Sequence, residues 1–182
     1  MGWGYTSIYY GGDPIVQYDR FADRWLISQL GSLSAPYYEC IAVSKTNDPT
    51  GAYTLYAYAF GAALNDYPKF GVWPTATNSA YLATYNLFYG GSGAELCAYD
   101  RAAMIAGAAN PIGLCFSGLS SWSYLPADVD GATPPLNGTP GYFVDLLTTS
   151  SLGVYKLTPN FAAATATLSS LSTIPVAPFT EA

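Results

Sequence analysis

Histidine is absent from this chain, so acid–base chemistry has to come from carboxylates, or from tyrosine and lysine. Without histidine the chain cannot form a Ser-His-Asp triad, and it offers no imidazole ligand to zinc, copper or iron. Three aspartates are of interest because each is expected just before the first strand of a repeating unit. They are Asp13, Asp66 and Asp128, with Asp130 as the alternative to the last.

These aspartates predict an oxygen-rich site if the three loops converge around one axis. Their carboxylates, together with carbonyl groups of glycine-rich loops, are the ligands that calcium prefers. The sequence therefore predicts a calcium site formed by Asp13, Asp66 and either Asp128 or Asp130. The alternative is that each aspartate only caps a turn with its own side chain, as aspartate does before proline or glycine.

The same carboxylates suit a second chemistry. Glycoside hydrolysis needs two carboxyl groups, roughly 5–10 Å apart, on either side of the scissile bond. Asp13 would act as base or nucleophile, and Asp66 or Glu95 would act as the acid. An Asp-Pro pair is common in turns, so the pair at Asp13 alone does not identify an enzyme. A glycoside hydrolase is therefore the alternative, and a non-catalytic binding protein is the main prediction.

Aromatic residues are abundant, with 17 Tyr, 8 Phe and 4 Trp. Flat rings with polar neighbours form surfaces on which sugars stack. Trp73, Trp122 and Tyr124 fall in turn-rich stretches, and we predict that they are exposed and bind a ligand. Lys69 would join them as a lone cation near the aspartates. The alternative is that the rings pack between sheets.

The low charge of the chain excludes several partners. Charged residues make up 10% of the chain, only six of them are Lys or Arg, and the net charge is −6. Binding to nucleic acid or to an anionic membrane surface needs clustered basic residues, so neither is expected. The first residues lack the basic and apolar regions of a signal peptide. If the protein is exported, its leader is missing from this chain.

The cysteines and arginines allow limited predictions. Cys40, Cys97 and Cys115 fit neither a CxxC motif nor a zinc pattern. They form one disulfide and one free thiol, or three small buried apolar groups. Each of three arginines lies next to an aspartate, and Arg24 is expected to cross-link neighbouring sheets through a carboxylate or carbonyl groups.

Short runs of aromatic and β-branched residues, separated by glycine and proline, predict an all-β chain. The first four runs are residues 15–18, 24–28, 39–44 and 53–60. The pattern recurs at 69–73, 80–85, 94–99 and 113–116, and more loosely at 125–128, 141–146, 153–157 and 167–178. Asp100 is expected to cap a single helical turn over 100–107.

Three copies of a four-stranded unit predict one domain over residues 1–182, built from antiparallel blades of a β-propeller. The blades would span about 12–62, 63–120 and 121–180. A β-sandwich is the structural alternative. Because three blades leave an open sheet edge at each end, the chain is either a piece of a longer protein or half of a six-bladed ring closed by a homodimer.

Five segments carry a family resemblance: GDPIVQYDRFADRWLISQ, CIAVSKTNDPTGAYTLYAY, DYPKFGVWP, LCAYDRAAMIAG and LPADVDGATPPLNGTP. In this order, over about residues 12–180, the chain resembles a family of secreted bacterial β-propeller proteins without an assigned activity. The resemblance implies an extracellular protein whose relatives carry further blades downstream. The chain departs from the family at Pro74-Thr75, where an acidic residue tends to follow the proline, so no carboxylate is inherited there.

Together these patterns predict an extracellular, non-catalytic binding or scaffold protein whose ligand is a glycan or a protein. A glycoside hydrolase with paired carboxylates is the first alternative. The second is an interaction module that is completed by dimerisation or by joining a second half.

Overall fold

The computed structural model describes residues 11–180, which form thirteen strands and one short helix. Three successive antiparallel sheets contain all of these strands. Sheet A consists of β1 (Ile15–Asp19), β2 (Arg24–Leu30), β3 (Tyr37–Ser44) and β4 (Tyr53–Gly61). Sheet B consists of β5 (Ala63–Trp73), β6 (Ala80–Tyr89), β7 (Ala94–Asp100) and β8 (Gly113–Leu119), with the helix α1 (Arg101–Ile105) after β7.

Sheet C is less regular than the first two. It contains β9 (Leu125–Pro126), β10 (Gly141–Thr148), β11 (Ser151–Asn160), β12 (Thr165–Leu168) and β13 (Ser172–Pro175). The last two strands share one partner, because β12 pairs with one end of β11 and β13 with the other. The single outer strand expected over 167–178 is therefore two short strands.

The all-β prediction and the succession of antiparallel sheets are confirmed. Sheets A and B, and sheet C up to β12, pair their strands in chain order, as hairpin-connected neighbours do. Strand β5 is longer than the predicted 69–73, because a bulge between Asp66 and Lys69 interrupts its pattern. The bulge contains Tyr67 at a φ of 55° followed by Pro68, and both features hide a strand from sequence reasoning.

Sheet B lies between sheets A and C and is buried on both faces. In β6 and β7 the odd-numbered residues, such as Tyr81 and Tyr99, belong to a core shared with sheet A. The even-numbered residues, such as Leu82 and Leu96, belong to a core shared with sheet C. This explains why β6 is apolar along most of its length, since a strand covered on both sides needs no polar face.

The first strands of the three sheets lie side by side, with β1 against β5 and β5 against β9. Gly71 makes the second contact possible, because a Cβ at this position would lie 2.2 Å from the carbonyl oxygen of Ala127. Beside it, the Val129 amide donates to the carbonyl oxygen of Val72 at 3.2 Å. Only glycine allows the two backbones to approach this closely.

The disulfide and the helical turn match predictions from the sequence. Cys97 and Cys115 are directly opposite each other on β7 and β8 and form a disulfide, while Cys40 is free and buried. Asp100 caps α1 by accepting a hydrogen bond from the Ala103 amide at 3.0 Å. In the part of the chain that the structure describes, no helix is long and apolar enough to span a membrane.

A buried ion pair joins sheet A to sheet B. Arg101 donates from Nε to Asp19 Oδ2 at 2.6 Å and from Nη2 to Oδ1 at 2.9 Å. The Tyr81 hydroxyl donates to the same carboxylate at 2.9 Å. The prediction that Arg24 makes this link is wrong, because Arg24 Nη1 donates only to carbonyl oxygens of its own turn. The cap at Asp100 directs the neighbouring Arg101 toward sheet A instead.

We expect Arg101→Met to lower the free energy of unfolding by about 3–5 kcal/mol, because it leaves the carboxylate of Asp19 buried without its cation. Urea unfolding followed by tryptophan fluorescence measures the change. Arg20→Met is the matched control. Arg20 is exposed and donates to the carbonyl oxygen of Asp130, so its loss is expected to cost less than about 1 kcal/mol. Equal losses in the two variants would contradict the importance of the ion pair.

Candidate functional site

At one end of the stacked sheets lie aromatic side chains from sheet A, from sheet B and from the loop that leads into sheet C. The rings of Tyr37 and Tyr89 stack with centroids 6.4 Å apart and planes at 18°. The rings of Phe88 and Trp122 lie 5.0 Å apart at 30°. We call these four residues the aromatic row, and this part of the molecule the aromatic end.

The row crosses the stack because Phe88 and Tyr89 are consecutive in β6 and point to opposite faces of sheet B. Tyr89 therefore reaches Tyr37 of sheet A, while Phe88 reaches Trp122, just before sheet C. Tyr89 is 82% exposed and Trp122 is 39% exposed. Three rings of the row, those of Tyr89, Phe88 and Trp122, are thus open to solvent, whereas Tyr37 is buried beneath Tyr89.

Polar groups hold the loop that carries Trp122. The Ser123 amide donates to Asn86 Oδ1 at 2.8 Å, and Asn86 Nδ2 donates to Ser123 Oγ at 3.3 Å. Ser123 adopts a φ of 62°. The loop conformation is therefore fixed by a side chain of β6, the strand that also supplies Phe88.

Two of the predicted aspartates come together near this end. Burial lowers the pKa of Lys69, and Asp13 and Asp66 both lie close enough to oppose this lowering. The Lys69 ammonium lies 3.4 Å from the ring centroid of Tyr67 and donates to the carbonyl oxygen of Pro68 at 2.9 Å. The structure thus groups Asp13, Asp66 and Lys69 as one charged cluster.

A third carboxyl group, Glu39, lies buried beside this cluster. Its Oε2 accepts a hydrogen bond from Asn65 Nδ2 at 2.9 Å, and both residues are fully buried. Burial raises the pKa of Glu39 to about 8; Ser28 and Asn65 oppose this rise and Asp13 adds to it. Sequence reasoning missed Glu39, although a glutamate within the apolar run of residues 39–44 was a signal.

Three oxygens around Glu39 have no hydrogen-bond partner within the described residues. They are Glu39 Oε1, Asn65 Oδ1 and Ser28 Oγ. Ser28 lies close enough to lower the pKa of Glu39, but its hydroxyl makes no hydrogen bond of normal distance and angle. Since buried polar atoms nearly always have partners, this pocket is chemically incomplete.

The remaining predicted aspartates lie elsewhere. Asp128 follows β9 and accepts a hydrogen bond from the Val72 amide at 2.6 Å, near the far end of β5. Six residues of strand separate Val72 from Asp66, roughly 15–20 Å at the usual rise. Asp130 lies with Asp128 in a cleft at the same far end. The structure therefore does not gather the four aspartates into one ring.

Two of the predicted ligand-binding aromatics have packing roles. Tyr124 is only 1% exposed and belongs to the core between sheets B and C, so its predicted exposure is wrong. Trp73 is half-buried at the far end of β5, where its Nε1 donates to the carbonyl oxygen of Thr139 at 3.2 Å and its ring packs on Tyr142. Trp122 is the predicted ligand-binding residue at the aromatic end, whereas Lys69 is opposite Thr84 in the middle of the pairing between β5 and β6.

Glu95 belongs neither to the charged cluster nor to the pocket around Glu39. Burial raises its pKa, and no other carboxylate contributes to that shift. Its side chain lies beside Cys97 and Cys115, close enough for three ligands of one metal ion. The two sulfurs form a disulfide, and metal binding requires thiolates. This trio is therefore a structural contact.

Comparison with protein-family models, with curated proteins and with solved structures found no significant match. The resemblance to a secreted propeller family stays a prediction. The residues that bear on function are therefore those that the geometry brings together: the aromatic row, the charged cluster and the pocket around Glu39.

The stability of the protein is expected to depend on the protonation of Glu39. Its pKa is higher in the folded state than in the unfolded chain, so protons stabilise the fold. This contribution is complete below pH of about 4.5 and is lost as the pH rises through about 8, at up to about 1.4 kcal/mol per pH unit. Urea unfolding in calcium-free buffer from pH 5 to 8 measures the slope.

Glu39→Gln should flatten this slope, because the amide does not titrate. The buried thiol and phenols that interact with Glu39 do not titrate in this range: burial raises the pKa of Cys40 to about 11 and the pKa values of Tyr85 and Tyr99 well above 10. Asp48→Asn is the control and should keep the slope, since Asp48 is exposed and hydrogen bonds from Thr50 lower its pKa. An unchanged slope in Glu39→Gln would refute the assignment.

Proposed function

We propose that this protein is an extracellular, non-catalytic binding module that holds a glycan on the aromatic row. The exposed rings of Tyr89 and Trp122, which pack on Tyr37 and Phe88 respectively, are the observation that carries this proposal. The disulfide between Cys97 and Cys115 is consistent with an oxidising, extracellular environment.

A glycan suits this surface for two reasons. The apolar C–H faces of a sugar ring pack on flat aromatic rings, which lose little conformational entropy on binding. Sugar hydroxyls need hydrogen-bond donors and acceptors around those rings. Ser123 supplies an exposed hydroxyl beside Trp122, and Asp66, which is opposite Asn86 on β6, lies near the same end. A protein ligand, the other partner expected from the sequence, would use the rings without requiring these polar groups.

The position of the carboxyl groups favours binding over hydrolysis. A glycosidase needs a protonated acid and a second carboxylate that both reach the scissile bond. Glu39 is the carboxyl whose pKa is raised most toward neutrality, yet it is fully buried beneath the surface. Hydrolysis with Asp13 as base or nucleophile is the alternative, and it would require an acid other than Glu39.

Binding to soluble xylan, β-glucan, mannan and N-acetylglucosamine oligomers, measured by calorimetry, tests the proposal. Trp122→Ala and Tyr89→Ala are each expected to weaken binding of the recognised glycan at least about tenfold without loss of the strand circular-dichroism spectrum. Tyr18→Ala is the control, because Tyr18 is an exposed aromatic residue at the opposite end.

No binding to any glycan, or equal losses in all three variants, would reject the glycan proposal. Release of reducing sugar that is abolished by Asp13→Asn would replace it with the hydrolase.

We further propose that sheets A, B and C are consecutive blades of a β-propeller. Their face-to-face packing in chain order, with β1, β5 and β9 side by side, supports this arrangement. The outward faces of the terminal sheets also support it, because they expose apolar residues. These are Val16 and Tyr18 on sheet A, and Leu125, Leu146 and Ile174 on sheet C.

A second copy of the chain would cover these outward faces and close a six-bladed ring. Light scattering after gel filtration should then give a mass near twice 19.3 kDa. Val16→Asp should produce monomers, because it places a charge within the new contact. Leu136→Asp, at an exposed loop position away from these faces, should leave the dimer intact. A wild-type monomer at all concentrations would reject closure by dimerisation.

A further inference from the structure

The pocket between sheets A and B combines three unpartnered oxygens from three different strands. Ser28 Oγ comes from β2, Glu39 Oε1 from β3 and Asn65 Oδ1 from β5, and all three residues are fully buried. Asn65 is hydrogen-bonded to Glu39, and Ser28 acts on the same carboxyl group. Each buried polar atom without a partner costs about 1–3 kcal/mol, so unpartnered oxygens around one buried carboxyl group indicate a missing ligand.

The charges around this pocket are negative. Glu39 is within electrostatic reach of Asp13, and Asp13 shares Lys69 with Asp66. Without an ion, Glu39 is mostly protonated at neutral pH, because burial raises its pKa to about 8. A cation that displaced this proton would meet three carboxylates and one ammonium group, with a net charge of −2. A divalent cation would balance this charge, whereas a water molecule would satisfy hydrogen bonds but leave the carboxylates uncompensated.

We propose that Ser28, Glu39 and Asn65 form a buried calcium site between sheets A and B, with Asp13 on its solvent side. A hydroxyl, a carboxylate and an amide carbonyl are all hard oxygen ligands, which calcium binds in flexible geometry. Magnesium retains several waters and requires near-octahedral ligands, which suits a closed pocket poorly. The nearby Cys40 thiol points instead toward Gly31, so the pocket offers no soft ligand that would favour zinc.

This site differs from the calcium ring that the sequence predicts. Only Asp13 is common to both, because Asp128 and Asp130 lie at the far end of β5. The new site also has a structural consequence. Its three ligands belong to two sheets, so a bound ion would tie β2 and β3 to β5 and stabilise the folded state in proportion to its occupancy.

The test uses the whole chain, stripped with EDTA, desalted and then titrated with calcium chloride. We expect the melting temperature to rise by several degrees, and elemental analysis after gel filtration to find one calcium per chain. Ser28→Ala should weaken calcium binding at least about tenfold, and Glu39→Gln should abolish it. Asp128→Asn is the control and should bind calcium as the wild type does.

Two results would overturn the proposal. One is a wild-type protein that retains no calcium and whose melting temperature calcium does not change, which would mean that the pocket holds water alone. The other is calcium binding that survives in Ser28→Ala and Glu39→Gln but is lost in Asp128→Asn, which would place the ion elsewhere. Ser28→Ala removes a single hydroxyl and provides the readout if Glu39→Gln fails to fold.

Discussion

The rest of the structure depends on the burial of sheet B on both faces. Its strands β6 and β7 are apolar on both sides, so the sheet is stable only when one sheet covers each face. Sheets A and C meet this need, and the two hydrophobic cores of the molecule are the two faces of sheet B. The stacked arrangement of the three sheets follows from this requirement.

The packing of sheet A on sheet B also buries two carboxyl groups, which differ in how completely they are hydrogen-bonded. The Asp19 carboxylate accepts hydrogen bonds from Arg101, Tyr81 and the amides of Phe21 and Ala22, so its charge and its lone pairs are matched. Glu39 has one hydrogen bond of normal geometry and an unpartnered oxygen. Asp19 is therefore a structural link between the two sheets, while Glu39 has an unpartnered oxygen that a ligand could bind.

Much of the fold could be predicted from the sequence, because strand alternation and turn residues are local signals. The runs at 15–18, 39–44 and 80–85 lie within strands β1, β3 and β6. Prediction was poorer where the signal was short or interrupted. Strand β9 has only two residues, and it lies before Asp128, whereas the sequence predicts a strand after it. The bulge in β5 interrupts the strand pattern, so the sequence does not predict that Asn65 belongs to a strand.

The candidate site was less predictable, because its parts are distant in the chain. Glu39 meets Asn65 only when sheets A and B pack, and nothing local to either residue indicates the other. The same holds for Arg101 and Asp19, which are 82 residues apart. The prediction that Tyr124 is exposed is also wrong, since its turn-rich surroundings do not indicate that sheet C covers it. Trp122, only two residues away, remains outside because Asn86 holds its loop.

The aromatic row and the Glu39 pocket are connected through β3. Tyr37 and Glu39 are two residues apart on this strand, so their side chains point to the same side of sheet A. Tyr37 supports the exposed ring of Tyr89, while Glu39 contacts Asn65 of the neighbouring sheet. Any change in the distance between β3 and β5 would therefore move both the pocket and the rings. In the two proposals, a filled pocket would therefore hold in place the sheets that present the aromatic row.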